Sequence, residues 1–348
     1  MCKGVQTLKM ASSAINPGAP AEEVSAEQRV PDKNRIALRR TLIGRFARSL
    51  VVAFWVMFIA FSLLRFSPGD PIRLALGTDA TEEAVAEMKK LYGLDQSFFV
   101  QFYDYFTGFF RGDLGTSFFS GREVTAVVAM HLPVTLMIIL LSMGAAVLIS
   151  LPIALFVALS RRPIITYFFR TSTSISLAIP GFFLALLGLL LFGTVVTWVP
   201  AAGYEGNFPS NLKYLWLPAL VNCFSLVPIL SRVLHSSLMD TLGEEFVETG
   251  VIRGVGKLKF YWSYMLRPSL APTVVLVSYM VGIMIGGTVV MEMIFSLPGI
   301  GRELIEAVST RDYAIVQGIV MIFGFIVVFT SFIGDLLGYL LDRRVTLS

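Results

Sequence analysis

Cysteine and histidine are nearly missing from this chain. Two cysteines in 348 residues, Cys2 in a polar leader and Cys223 inside an apolar run, exclude a disulfide framework. The two histidines, His131 and His235, stand far apart with no thiolate cluster near either, so no metal site is visible. Charge is scarce as well: Asp, Glu, Lys and Arg together make up 15% of the residues. No Gly-x-x-x-x-Gly-Lys-Ser/Thr string occurs, which excludes nucleotide binding by a phosphate-cradling loop. No Ser/His/Asp set can be assembled, because both histidines border apolar runs and no nucleophile elbow is present.

What remains is apolar. Hydrophobic residues make up 55% of the chain and the mean hydropathy is +0.73. A water-soluble domain of this size has no way to hide so much apolar surface, so lipid must solvate much of it. Uncharged runs cover 49–64, 132–160, 171–204, 214–231, 268–291 and 313–334. A helix needs about 20 residues to cross the hydrocarbon. The first run is short, but Arg48 and Arg65 can snorkel to the interfaces. The third is long, and Trp198-Val199-Pro200 with the Gly, Pro and Asn residues after it marks a loop, leaving one span over about 167–193. The expectation is an all-α membrane protein with six transmembrane helices.

Net charge is +4, and its distribution sets the orientation. Arg29, Lys33, Arg35, Arg39, Arg40, Arg45 and Arg48 precede the first run. Arg161-Arg162, then Arg232, Arg253, Lys257, Lys259 and Arg267, and finally Arg343-Arg344 mark the other loops on that side. The region 68–123 instead carries Asp70, Asp79, Glu82, Glu83, Glu87, Asp95, Asp104, Asp113 and Glu123. The positive-inside rule then places both termini in the cytoplasm. The basic cluster abuts a span, so it reads as a topological anchor and not as a nucleic-acid site. The leader lacks a small-x-small cleavage site after the first apolar run, which predicts an uncleaved anchor. Within 68–123, Glu82 to Leu91 reads as a short helix with acids first and bases last, stopped by Gly93. An aromatic run, Phe98 to Phe106, follows and suits packing at the membrane interface or contact with a docking protein.

One loop carries more information than any other stretch. Glu248-Thr249-Gly250-Val251-Ile252-Arg253-Gly254 lies between two spans, and Leu270-Ala271-Pro272 opens the next span. Acids Glu244, Glu245 and Glu248 favour the start of a helix, Phe246 and Val247 give it an apolar face, and Gly254 permits a sharp turn. This pattern resembles the EAA loop of ABC-importer permeases. The resemblance continues through Pro68-Gly69-Asp70-Pro71, Tyr92-Gly93-Leu94-Asp95 and Gly112-Asp113-Leu114-Gly115-Thr116-Ser117. It runs on through Leu132-Pro133-Val134-Thr135-Leu136, Ile179-Pro180-Gly181-Phe182, Trp198 to Gly203 and Leu217-Pro218-Ala219-Leu220. Val290 to Gly301, Arg311-Asp312-Tyr313 and Val316-Gln317-Gly318 complete it. Within that family the chain most resembles the B-type permease of the dipeptide/oligopeptide importers, a group that also serves nickel and other small solutes. It departs from the loop's name at Thr249 and Gly250, where two alanines are expected, which bears on how closely the first turn packs.

The resemblance implies a type I ABC importer (MetI-like) permease fold in the bacterial inner membrane. It implies a transport subunit with no catalytic residues and no cofactor of its own, the ATP being used by partner ATPase subunits. The implied assembly is a second homologous permease, two ABC ATPase subunits and an extracytoplasmic solute-binding protein, in membrane lipid. The implied organisation is a cytoplasmic leader over 1–40, a first transmembrane helix over 41–66 and an extracytoplasmic region over 67–128. A five-helix core follows over 129–342 with its coupling loop at 236–267, then a tail over 343–348. Glu245, Phe246, Glu248, Thr249, Gly250 and Gly254 are the expected ATPase-coupling residues. Glu292, Pro180 and Asn222, polar or helix-breaking positions within spans, are candidates for the translocation path or its gate. Asp335 is expected to pair with a base or to sit at the interface, Pro180-Gly181, Pro228 and Pro272 to loosen or kink their helices, and Gly282, Gly286 and Gly287 to permit close helix contacts. A secondary transporter or channel working without ATP, and an importer of nickel or another non-peptide solute, are the alternatives.

Overall fold

The computed structural model describes residues 32–65, 71–77, 80–117, 119–160, 162–196, 200–205 and 209–341. Most of the leader, residues 68–70 of the first proline string, Arg161, Trp198-Val199 and Arg343-Arg344 lie outside the described residues. The chain divides into two units, residues 1–44 and 45–348. Of the first unit, residues 32–44 are described and form the opening of helix α1 (Asp32–Arg65). Among the described residues no strand forms, and the secondary structure is helical.

In the second unit, α1 is followed by three short helices, α2 (Pro71–Leu76), α3 (Glu82–Leu91) and α4 (Phe98–Arg111). The expected short helix is α3, residue for residue. Thr81 caps it by accepting from the Ala84 N–H at 3.3 Å. Gly93 closes it with φ +62°, its N–H on the Lys90 carbonyl and that of Leu94 on the Lys89 carbonyl. The aromatic run becomes α4, and one side of it packs on α1. The Phe102 ring lies 5.2 Å from Phe58 and 5.8 Å from Phe54, and Phe98 lies 5.2 Å from Phe61. Phe99, Tyr103 and Phe110 stay exposed on the other side.

Long helices α5 (Val124–Leu159), α8 (Leu212–Leu242), α11 (Arg267–Ile294) and α13 (Tyr313–Leu341) build the core. They are apolar around most of their circumference, as helices buried in protein and lipid must be. Ile138, Ile139 and Ala146 of α5, Leu215 and Leu230 of α8, Ile285 of α11 and Ile319 of α13 are almost fully buried. Small residues bring α11 and α13 together: a Cβ on Gly282 would sit 3.3 Å from Val327, and one on Gly338 2.6 Å from Val275. Gly286 and Gly287, expected to serve the same purpose, face open space. Arg45 pairs with Asp335 at 2.6 Å, which meets the expectation for that carboxylate.

Among the described residues, five helices are long and apolar enough to cross a membrane, including the apolar stretch Ile43–Ser62 of α1. The sixth candidate is a bent pair, α6 (Pro163–Ala178) and α7 (Gly181–Thr194), which together are long and apolar enough to cross and meet at 85°. The single span read over 167–193 is thus interrupted in its middle. Pro180 explains the break: it pushes Ile179 into the extended region (φ −86°, ψ 120°) and cannot donate to the preceding turn. Its own carbonyl then accepts from the Phe183 and Leu184 N–H groups and starts α7. Pro228 and Pro272, by contrast, lie inside helices that continue through them. Helix α8 also runs well past the charge at Arg232 that ended its apolar run in sequence.

Candidate functional site

The loop between α8 and α11 contains an eight-residue helix, α9 (Glu245–Ile252), then α10 (Lys257–Lys259) and a π-helical stretch, Phe260–Leu266, which merges into α11. Glu244 is extended and stands at the N-cap of α9, with Glu245 and Glu248 in its first turn where the helix dipole favours anions. The Thr249 hydroxyl donates to the Glu245 carbonyl at 3.0 Å. Val247 and Gly250 are buried on the side that packs on the Phe260–Leu266 stretch, whereas Glu245, Glu248 and Thr249 are exposed. The Phe246 ring lies 6.3 Å from Tyr264, and Tyr264 stacks on Phe260 at 6.1 Å.

The two glycines of this loop serve different ends. At Gly250, a Cβ would fall 2.9 Å from two atoms of the Tyr264 ring, closer than real side chains approach. That contact is the physical reason for glycine where two alanines were expected. Gly254 has open space around its missing side chain, but its φ is +63°. Its N–H bonds to the Val251 carbonyl at 3.0 Å, and that of Val255 to the Gly250 carbonyl at 3.3 Å. This is a Schellman closure with Gly254 at the left-handed position. Crowding within this chain therefore sits at Gly250, and backbone handedness at Gly254. Around α9, Val251, Ile252, Leu258 and Trp262 are exposed by 63, 78, 85 and 57%.

A second constellation lies at the other end of α11. Glu292 is fully buried. Its carboxylate accepts from the Thr135 hydroxyl of α5 and, at 2.9 Å, from the Arg302 N–H in the first turn of α12 (Ile300–Ser309). Thr135 in turn accepts from the Ile300 N–H at 3.0 Å. Two orphan donors of α12 are thereby satisfied, and a carboxylate sits at a helix N-terminus. Gly299 and Gly301 make room: a Cβ on Gly299 would occupy the place of the carboxyl itself. Nearby, His131 Nδ1 lies 2.9 Å from the Pro298 carbonyl and Arg122 pairs with Glu303 at 2.9 Å. Asp312 accepts from the Ser117 hydroxyl, and Gly318 lies against Val124. Strings that stand far apart in sequence, from 112–117 to 316–318, thus meet at one end of the bundle.

Pro180 and Asn222 belong to neither constellation. Pro180 is exposed at the α6–α7 bend. Beside it, a Cβ on Gly181 would lie 3.5 Å from the Ser225 hydroxyl of α8 and 3.6 Å from Met291 of α11. Asn222 is one turn from Ser225, with its amide nitrogen buried and unpartnered among the described residues. No group of His, Cys, Asp and Glu suited to a metal occurs among the described residues. Sequence reading missed Tyr264, Thr135 and Gly299. The aromatic cluster Phe260-Tyr261-Trp262-Tyr264, shortly after the loop glycines, was the signal for the first.

Among the described residues, five candidate spans, one bent helix pair and a short helix in the loop between α8 and α11 define a multi-span membrane protein. Comparison with known proteins agrees. The family described as binding-protein-dependent transport system inner membrane component matches residues 150–347, and its N-terminal companion matches 38–139. The chain belongs to this family of inner-membrane permeases of ABC importers. It is 30% identical over 307 residues to a putative peptide transport system permease protein of Brucella suis, covering 87% of this chain and 98% of that one. It is also 30% identical over 298 residues to a glutathione transport system permease protein of Salmonella typhimurium, covering 86% and 94%. A putative peptide permease protein of Brucella ovis is 29% identical over 319 residues, covering 89% and 98%.

Proposed function

We propose that this chain is one of two permease halves of an ATP-driven importer for peptides or similar small solutes, and that α9 is the element on which an ATPase subunit docks. The observation that carries this reading is the two-sided character of α9. Val247 and Gly250 fasten it to the membrane domain, while Val251, Ile252, Leu258 and Trp262 present an apolar surface to the outside. Four large apolar side chains exposed within twelve residues, interspersed in sequence with Glu245, Glu248, Arg253 and Lys257, suit an interface better than open water. Arg232, Arg253, Lys257, Lys259 and Arg267 flank α9 in sequence, and by the positive-inside rule they support a cytoplasmic α9 and cytoplasmic termini.

The rest of the assembly follows from one docking element per permease: a second homologous permease, two ATPase subunits and an extracytoplasmic binding protein. The chain itself binds no nucleotide and has no catalytic residue. Pro180 and Asn222 border the solute pathway at the broken span, and the Glu292 clasp holds α12 at its outer end. The peptide assignment is supported by the names of the similar permeases. The test is a cysteine at Ile252 in the whole complex. We expect it to crosslink to the ATPase subunit, and the reconstituted complex to accumulate peptide only with ATP and the binding protein. Uptake that persists without the ATPase subunits would refute the reading.

A further inference from the structure

A groove between α5, α6 and α8 is not used by the coupling element or the Glu292 clasp. It has two halves that share Phe169. The half toward the α9 end has a cavity of about 690 Å³ lined by Arg170, Arg232, His235, Ser160, Ser174 and Ser236. Among the described residues, no acidic side chain lines it. Arg232 is held in place there: its Nε donates to the Thr173 hydroxyl at 2.7 Å, and its Nη2 to the Ser174 hydroxyl at 2.6 Å and the Arg170 carbonyl at 3.2 Å. These bonds leave Nη1 without a hydrogen bond to the described residues. The His235 ring lies tilted against Phe169, their centres 5.3 Å apart. The half deeper in the membrane, about 340 Å³, is lined mainly by Ile149, Ile153, Leu220, Phe224 and Val227. Ser172, Thr173, Ser176 and Ser231 also line it; the hydroxyls of Ser172 and Thr173 turn back onto the Phe169 carbonyl and that of Ser231 onto the Pro228 carbonyl of their own helices.

We propose that this groove binds an anionic phospholipid of the cytoplasmic leaflet, its phosphate on Arg170 and Arg232 and an acyl chain along the Ile149–Phe224 side. Charge complementarity selects the head group: two guanidinium groups face one cavity with no carboxylate to neutralise them, and a guanidinium fork matches phosphate geometry. The apolar continuation selects a ligand with a tail over a free anion. A basic pocket between spans on the cytoplasmic side is where such head groups bind. The site lies on the arm before the bend at Pro180, so an occupant braces α6 against α8 ahead of the break. The leaflet rests on the orientation proposed above, whereas the binding itself does not.

Native mass spectrometry of the intact complex, exchanged into equal phosphatidylglycerol and phosphatidylcholine, tests it. We expect phosphatidylglycerol to remain bound after phosphatidylcholine is stripped. Arg170→Gln removes an exposed guanidinium that holds no other element, and should lower retention about fivefold, the effect of one basic residue near an anionic surface. Arg232→Lys keeps the charge, and in it retention should fall less than in Arg170→Gln. Ile149→Trp, which obstructs the apolar half and leaves both arginines intact, should also lower retention. Equal retention of the two lipids, or undiminished phosphatidylglycerol in Arg170→Gln, would overturn the proposal. Displacement of the lipid by inorganic phosphate or by a transported peptide would overturn it too, by showing a general anion or solute site. Because retention is read in detergent, it stands apart from the sidedness of α9, which cysteine labelling decides separately.

Discussion

Gly250 is a severe test of the seating of α9, because two opposing effects of known size meet there. In a helix interior, alanine is favoured over glycine by about 1 kcal/mol. Here its Cβ would fall 2.9 Å from two atoms of the Tyr264 ring. Overpacking of this kind costs about 1–3 kcal/mol. Gly250→Ala should therefore lose up to about 2 kcal/mol in the loop's seated conformation, and Gly250→Leu more. In a Tyr264→Ala background the obstacle is gone, so the same alanine should be neutral or stabilising by about 1 kcal/mol. The coupling energy of the pair is then about 1–3 kcal/mol, as expected of residues in direct contact. The readout is the affinity of purified ATPase subunit for the permease pair in nanodiscs, where about 1.4 kcal/mol appears as tenfold. We expect Gly250→Ala to weaken association up to about thirtyfold with Tyr264 in place, and not at all once Tyr264→Ala has removed the ring. An equal loss in both backgrounds would refute the argument, since the penalty would then not come from the ring.

Gly254 should behave differently from its neighbour. Alanine there costs about 1–2 kcal/mol through its left-handed backbone, asparagine costs less, and Tyr264→Ala rescues neither, as the same affinity assay checks. For orientation, single cysteines at Glu87 and Lys257, in a background lacking Cys2 and Cys223, should differ in labelling by an impermeant thiol reagent; equal labelling from outside would sink the topology. At the clasp, Glu292→Ala leaves the Thr135 hydroxyl and the Arg302 N–H without their acceptor at a buried site and should cost on the order of 3–5 kcal/mol, against about 1–2 for Glu292→Gln, read as heat resistance of the solubilised complex. Equal damage from both would show that the acceptor oxygen is not what matters. Finally, the isolated subunit, free of ATPase, should show no nucleotide binding by calorimetry.

Local chemistry made parts of this fold readable in advance. Thr81, the acids after it and Gly93 set the limits of α3 through short-range hydrogen bonds, so sequence and structure coincide there. Spans were visible because lipid permits few charges, yet the same reasoning ended the fourth span too early. Arg232 looks like a loop residue until Thr173 and Ser174, some sixty positions away in sequence, are seen to hold it. Pro180 was read as a kink, but an 85° break depends on what receives the two half-helices, which no local pattern states. Glu292 was legible as a costly carboxylate; its partners Thr135 and Arg302 come from two other helices and emerge only on folding. The same holds for Gly250, whose need for glycine is dictated by a ring across the loop.

The π-helical stretch between α9 and α11 has a torsional consequence. A π turn takes more residues than an α turn, so everything before Phe260 is phased differently about the α11 axis than a uniform α-helix would set it. Each residue of an α-helix advances the phase by about 100°. Rewinding a single residue of Phe260–Leu266 from π to α would swing Tyr264, and α9 with it, around the helix while the hydrogen-bonded rod beyond Arg267 stays intact. The winding of this one short piece of chain therefore sets the direction in which α9 leaves the α11 axis.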